Sequence, residues 1–142
     1  MKWHKETIEI HTRGKGLYDI TAQIEQAIHQ WGVVEGICHL FVQHTSASLV
    51  ASESYDPSAR KDLEAFMDHL VLEDQPYYRH TLEGSDDSPS HRRTMLTNTS
   101  LSIPIDSGKL SLGTWQGLYL FEHRLRPHRR RVLVRCLSVD ET

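Results

Sequence analysis

The run from His80 to His91 gathers two imidazoles, His80 and His91, and three carboxylates, Glu83, Asp86 and Asp87, in a polar stretch with little to bury. Those residue types hold a cation or move protons. Two more histidines, His44 and His123, stand in the polar islands Gln43–Ser48 and Glu122–Arg124, beside hydroxyl or acidic neighbours. If His44, His80, His91 and His123 converge, they make a divalent transition-metal site, since neutral imidazole is a common ligand for zinc and its relatives. Their spacing is neither that of a zinc finger nor that of a helical His-Glu-x-x-His motif. Around such a site Glu83, Asp86 and Asp87 would support the ligands, hold magnesium through water or act as general base, unless they only solvate a surface.

Thr45, Ser46 and Ser48 follow His44 and could donate hydrogen bonds to an anionic ligand or close a backbone turn. A serine nucleophile is the weaker reading, because the Gly-x-Ser-x-Gly elbow is missing and nothing identifies a group to orient the histidine. Gly113-Thr114-Trp115-Gln116-Gly117 sets an indole and an amide between two glycines, where a planar heterocycle could stack. The alternative is a strand bulge with Trp115 packed inside or against another subunit. Arg124, Arg126, Arg129, Arg130 and Arg131 crowd together as a solvated turn and strand edge or as a clamp for phosphate or carboxylate.

These islands need elements to position them. Trp3 and Thr7 to His11 alternate as a first strand, followed by a turn at Gly14 and Gly16. Ile20, Ile24, Ala27, Ile28 and Trp31 fall at helical spacing, with Asp19 or Thr21 to cap the start and Gly32 to end it. Gly36 to Val42 and Ser48 to Ser52 read as strands, and Asp56-Pro57 opens a helix that runs to about Leu70. The stretch from about Asp74 to Ser90 exceeds the usual connection of about 4–6 residues and reads as a functional loop. Ser90 then caps a short helix through Leu96. Strands follow at Leu101 to Ile105, Lys109 to Leu112, Gly117 to Phe121 and Arg131 to Val139.

Strands interspersed with helices and then grouped together predict an α+β fold, with a mostly antiparallel sheet or sandwich flanked by a few helices. No repeat or linker divides residues 1–142, so one domain is expected, large enough to bury roughly 68–70% of its unfolded surface. Apolar residues are 38% of the chain, lean enough that a partner subunit could complete the buried surface. A net charge of −3 offers no basic field for a nucleic-acid backbone, and no apolar stretch approaches the roughly 18 residues of a membrane span. Cys38 and Cys136 lie in apolar runs, and no leader opens the chain, which reads as a cytoplasmic protein with reduced core thiols.

His44 to Ser48, Glu53 with Asp56-Pro57, Arg60 with Asp62, the His80–His91 run, Gly113 to Gly117 and Glu122-His123-Arg124 together resemble the YjbQ-like family, also called secondary thiamine-phosphate synthases. The likeness extends from Trp3 to about Val139. Where the family usually carries a His-Gly-Gly turn, this chain has Leu125-Arg126-Pro127-His128. The resemblance implies an α+β fold, a homotrimer, possible occupancy by a divalent metal such as zinc or magnesium, and a minor synthase activity. That reaction joins hydroxymethylpyrimidine diphosphate to thiazole phosphate and releases pyrophosphate. Asp87, Glu122 and Glu83 would be its catalytic residues. Arg124 and the metal would face the departing oxygens, with Trp115, Gln116 and Glu122 against the aminopyrimidine. The same pocket could instead belong to a non-catalytic binding protein for a phosphorylated metabolite, or to a metal-dependent hydrolase.

Overall fold

The computed structural model describes residues 1–140 and contains two antiparallel sheets and three helices. The elements are β1 (Lys2–Thr12), β2 (Gly16–Asp19), α1 (Thr21–Trp31), β3 (Gly36–Val42), β4 (Ala47–Glu53), α2 (Pro57–Leu70), α3 (Asp87–Leu96), β5 (Ser100–Asp106), β6 (Lys109–Leu110), β7 (Gln116–Glu122) and β8 (His128–Ser138). The larger sheet has the order β1-β8-β3-β5-β6 and the smaller one β2-β7-β4. This is the α+β arrangement expected.

The main core lies between the sheets, where Leu40, Val42, Val132 and Val134 of the larger meet Leu49, Leu118 and Leu120 of the smaller. Ile24, Ala27 and Ile28 of α1 close one side. Strand β7 is buried along nearly its whole length because α2 covers its other face, packing Met67 and Val71 against Tyr119 and Phe121. A strand covered on both faces reads as a continuous apolar run. The two helix starts differ. Asp56 accepts the Ser58 N–H at 2.9 Å with Pro57 in the first turn, as expected, whereas at α1 Ile20 holds the cap position and Asp19 Oδ1 takes the Thr21 N–H at 2.9 Å.

Two expectations are corrected. The chain does bend at Gly14 and Lys15, but a strand not expected there follows: β2 pairs with β7 in the register Gly16↔Glu122 to Asp19↔Tyr119. A side chain at Gly16 would meet Glu64 Oε2 at 2.7 Å, the oxygen that accepts the Leu17 N–H. The third helix begins at Asp87, not after a Ser90 cap; Ser90 sits inside it and its hydroxyl donates back to the Asp87 carbonyl. Pro89 fits because a first helical turn has no use for its missing N–H. Strand boundaries also move: β6 ends at Leu110 and β8 starts at His128.

Among the described residues no element covers the outer face of the larger sheet. On it the registers align Trp3, Leu137, Ile37 and Pro104 in one apolar row across four strands. A polar row of Lys5, Arg135, His39 and Ser102 follows, then Leu133 beside Phe41. Among the described residues no helix is long and apolar enough to cross a membrane.

Candidate metal centre

Helix α3 sets Asp87 and His91 one turn apart on the same face, and the preceding loop brings His80 to them. That loop is pinned to α3. The Tyr78 hydroxyl donates to the Leu72 carbonyl at 2.5 Å, the Arg92 guanidinium lies 4.0 Å over the Tyr78 ring, and Arg93 Nη2 donates to the Val71 carbonyl at 2.8 Å. The ligand atoms of His80, Asp87 and His91 all lie within 4.8 Å of one another. His80 Nε2 is 2.5 Å from Asp87 Oδ2, and His91 Nε2 is 3.2 Å from the same oxygen.

The histidine tautomers bear on what fits there. His91 Nδ1 stands 2.8 Å from the Thr45 carbonyl, which can only accept, so Nδ1 carries the hydrogen. In the neutral ring Nε2 is then a lone pair aimed at a carboxylate oxygen. Two acceptors face each other there, and only a proton on the ring or a cation between them relieves that contact. A backbone carbonyl on the far nitrogen is also the usual way a ligating histidine is oriented. Two imidazoles and one carboxylate, open on the remaining side, match a catalytic transition-metal donor set.

Arg124 holds this centre from behind. Its Nη1 meets Asp87 Oδ1 at 2.5 Å, Nε meets Asp86 Oδ2 at 2.9 Å and Nη2 donates to the Glu83 carbonyl at 3.0 Å. Burial pushes the Asp86 carboxyl up, but the Leu125 N–H and Arg124 outweigh it and hold the acid below its ordinary range. Asp86 and Arg124 thus fix Asp87, and Arg124 has few donors left for a ligand. Beside it, Leu82, Glu83, Gly84, Arg124, Arg126 and His128 line a cleft of about 460 Å³.

Glu122 belongs to a separate, sealed cluster. Fully buried, it receives Arg130 at both oxygens, with Nε to Oε1 at 2.7 Å and Nη2 to Oε2 at 2.5 Å. Thr12 Oγ1 donates at 2.6 Å, and the His123 and Arg124 N–H groups donate at 3.0 and 3.1 Å. Burial raises its pKa, but these donors, Arg130 first, more than offset that and keep it ionised. His123 is 1% exposed; Nε2 bonds the Ser48 hydroxyl at 2.9 Å, and Nδ1 has no partner. Burial, aided by Arg93 and Arg130, lowers its pKa to about 3, so the ring is neutral.

Of the histidines expected to converge, His80 and His91 do so, while His44 and His123 stand outside the cluster. His44 Nε2 accepts the Arg131 backbone N–H at 2.8 Å. Ser46 and Ser48 face inward, Ser46 Oγ accepting from Arg130 and Ser48 bonding His123 and Thr97, and Thr45 alone of the three is exposed. Trp115 and Gln116 lie at the far end of β7 from Glu122, a strand length of roughly 20 Å, so one chain does not bring them to the centre. There Trp115 packs edge-on to Tyr55 at 4.5 Å, and Gln116 Oε1 accepts the Gly113 N–H at 2.7 Å. Glu83 has no hydrogen-bonded side-chain partner among the described residues and is exposed. Arg130, one of the arginines offered as an anion clamp, clamps the chain's own Glu122, and its place in phase with inward Val132 and Val134 marks it as buried.

Residues 6–139 match the model of a family described as UPF0047 protein YjbQ-like. The chain belongs to the YjbQ-like family. It is 50% identical over 131 residues to UPF0047 protein sll1880 of Synechocystis, covering 92% of this chain and 89% of that protein. Against UPF0047 protein YjbQ of Escherichia coli the identity is 38% over 132 residues, covering 92% and 95%. Among solved YjbQ-like folds, a conserved hypothetical protein from Thermus thermophilus superposes with a TM-score of 0.84 at 34% identity, covering 93% of this chain and 99% of that one. These descriptions fix the family and the fold; they name no reaction.

Proposed function

We propose that this YjbQ-like chain is a metal-dependent enzyme acting on a phosphorylated small molecule, with thiamine-phosphate synthesis as its assayable reaction. The observation that carries this reading is the His91 Nε2 lone pair facing the Asp87 carboxylate, with His80 on the same oxygen. His80, Asp87 and His91 would hold the ion. Two imidazoles in a set of three favour zinc or a neighbouring transition metal over magnesium, which prefers oxygen donors and retained water. Bound there, the ion would supply Lewis-acid stabilisation to a diphosphate leaving group.

The remaining work falls to the chain's own side chains. The Arg126 guanidinium, exposed and without a hydrogen-bonded partner among the described residues, lines the cleft with His128 beside Arg124 and presents a cationic wall to phosphate oxygens. In the synthase reaction the thiazole nitrogen forms a bond to the pyrimidine methylene carbon as the carbon–oxygen bond to diphosphate breaks. The negative charge then accumulates on pyrophosphate, where this wall faces it. Glu83, free at the rim, is the group available for proton transfer. Arg124 acts as a positioning residue for Asp87.

A second reading, binding without turnover, is favoured by Glu122: five donors hold its carboxylate, so it has no role in exchanging protons with a ligand. We further infer a homotrimer, which the apolar rows on the open sheet face support. The experiment that tests the main reading measures bound metal in the purified protein and incubates it with both thiamine precursors. Zinc at one per chain with pyrophosphate release, both lost in His91→Ala, supports the proposal. Absence of metal and product removes it, and release of phosphate from simple phosphate esters would reassign it as a hydrolase.

A further inference from the structure

His44 is a metal ligand neither by position nor by tautomer, and its surroundings give it a different task. The Arg131 backbone N–H donates to His44 Nε2 at 2.8 Å. An amide N–H can only donate, so Nε2 is the bare nitrogen and Nδ1 carries the hydrogen. Burial, then the Arg130 charge, lowers the pKa of the ring, in keeping with a neutral donor. Nδ1 has no protein partner among the described residues, and the half-buried side chain lines two grooves at once. One, of about 460 Å³, is formed with Thr45, His91, Thr94, Met95 and Thr99; the other, of about 470 Å³, runs on past Ser46 towards Arg130.

The first groove has a specific chemistry. Its walls are two imidazoles, a thioether and threonine side chains, and no carboxylate or cationic side chain lines it. Arg130, at the far end of the second, has its charge matched by Glu122. His91 is shared between the groove and the metal cluster, since it lines the one and aims Nε2 into the other. A ligand lying here therefore touches a residue that would bind the ion.

We propose that this groove is the binding subsite for an uncharged heteroaromatic ring, which lies against Met95 and Thr99 and accepts the Nδ1–H of His44 through a ring nitrogen. Its link to catalysis rests on the metal-enzyme reading; the subsite itself does not. His44 is the specificity donor, and it selects a ring with an acceptor over a hydrocarbon of the same shape. The Arg131 amide keeps the donor pointing outward.

The test uses the full-length protein labelled with nitrogen-15 in histidine, with His44 assigned by the signal lost in His44→Phe. Long-range proton–nitrogen spectra are expected to show the Nδ1–H tautomer, and 4-amino-2-methylpyrimidine is expected to shift that nitrogen while toluene does not. In His44→Phe the pyrimidine should bind about tenfold more weakly, the loss expected for one hydrogen bond, with zinc binding unchanged. An Nε2–H tautomer, or no shift at saturating pyrimidine, overturns the proposal, and His44→Gln supplies the same assignment should His44→Phe fail to fold. Pyrimidine binding with no zinc bound at His80, Asp87 and His91 would keep the subsite and sink the metal-enzyme reading instead.

Discussion

Arg124 takes one oxygen of Asp87, Nη1 to Oδ1 at 2.5 Å, and leaves the other oxygen to His80 and His91. The guanidinium is fixed in turn by Asp86 and the Glu83 carbonyl, so the free Asp87 oxygen is held on the histidine side. A lysine cannot make three separate directed bonds from one planar group. Arg124→Lys is therefore expected to weaken zinc binding by roughly 10–100-fold, the usual range for losing such support, as titration against a competing chelator would show. Unchanged affinity would mean that Arg124 does not orient the ligand.

Ligand residues drawn from a loop and a helix tie metal binding to local stability. Zinc at about 100 times its dissociation constant stabilises the folded chain by about 2.7 kcal/mol, on the order of 5–10 °C in Tm at this size. Calorimetry should show that shift in the native protein and its loss in Asp87→Asn and His91→Ala. A shift retained in both variants would place the ion elsewhere.

What the sequence makes legible follows from how local each signal is. The Asp56-Pro57 helix entrance and the alternating strands are written within a few residues, and the structure has them with small shifts at their ends. Strand β2 is four residues between the bend at Gly14 and the start of α1, too short to show a period, and its partner β7 lies about a hundred residues away. Helix α3 is hidden because Ser88 precedes Pro89, a pairing that disfavours helix. Arg124 on Asp86 and Asp87, with Arg92 donating to the Ser88 carbonyl at 3.0 Å, overrides that preference. Only once the helix starts at Asp87 do Asp87 and His91 share a face. Glu122 and Arg130 each sit in phase with inward apolar residues, so their burial is readable. Their pairing is not, because it joins strands of different sheets.

That buried pair makes a clear stability prediction. Removing one member leaves the other charged and desolvated, which costs about 3–5 kcal/mol. Arg130→Met should lower the unfolding free energy measured in urea by that amount, while the double replacement of Arg130 and Glu122 by apolar residues of similar volume should lose much less. Equal losses for single and double variants in urea unfolding would contradict a coupled pair.

The apolar row on the open sheet face predicts self-association. Ile37 is 53% exposed between Leu137 and Pro104, with Trp3 next in the row at 58%. A charge at its centre opposes burial against a second copy. Ile37→Glu is expected to shift the light-scattering mass from three chains to one with the fold intact by circular dichroism. A trimer that survives this change uses another face.

His123 should also shape the dependence of stability on pH. Its folded pKa is lowered from 6.5 to about 3, so below pH 6.5 the unfolded chain takes a proton that the folded chain refuses. Stability from this residue is therefore unaffected above that pH and falls as the pH drops through the window between the two values. The slope approaches about 1.4 kcal/mol per pH unit, on the order of 2–3 kcal/mol lost by pH 4.5. The carboxylates contribute with the same sign, but Asp86 and Glu122 have lowered pKa values and act only at the acid end of the range. His123→Gln can keep a hydrogen bond to Ser48 without a proton to gain. It should flatten urea stability between pH 6.5 and 4.5 relative to the native chain, and parallel curves for the two proteins would show that His123 takes up a proton while folded.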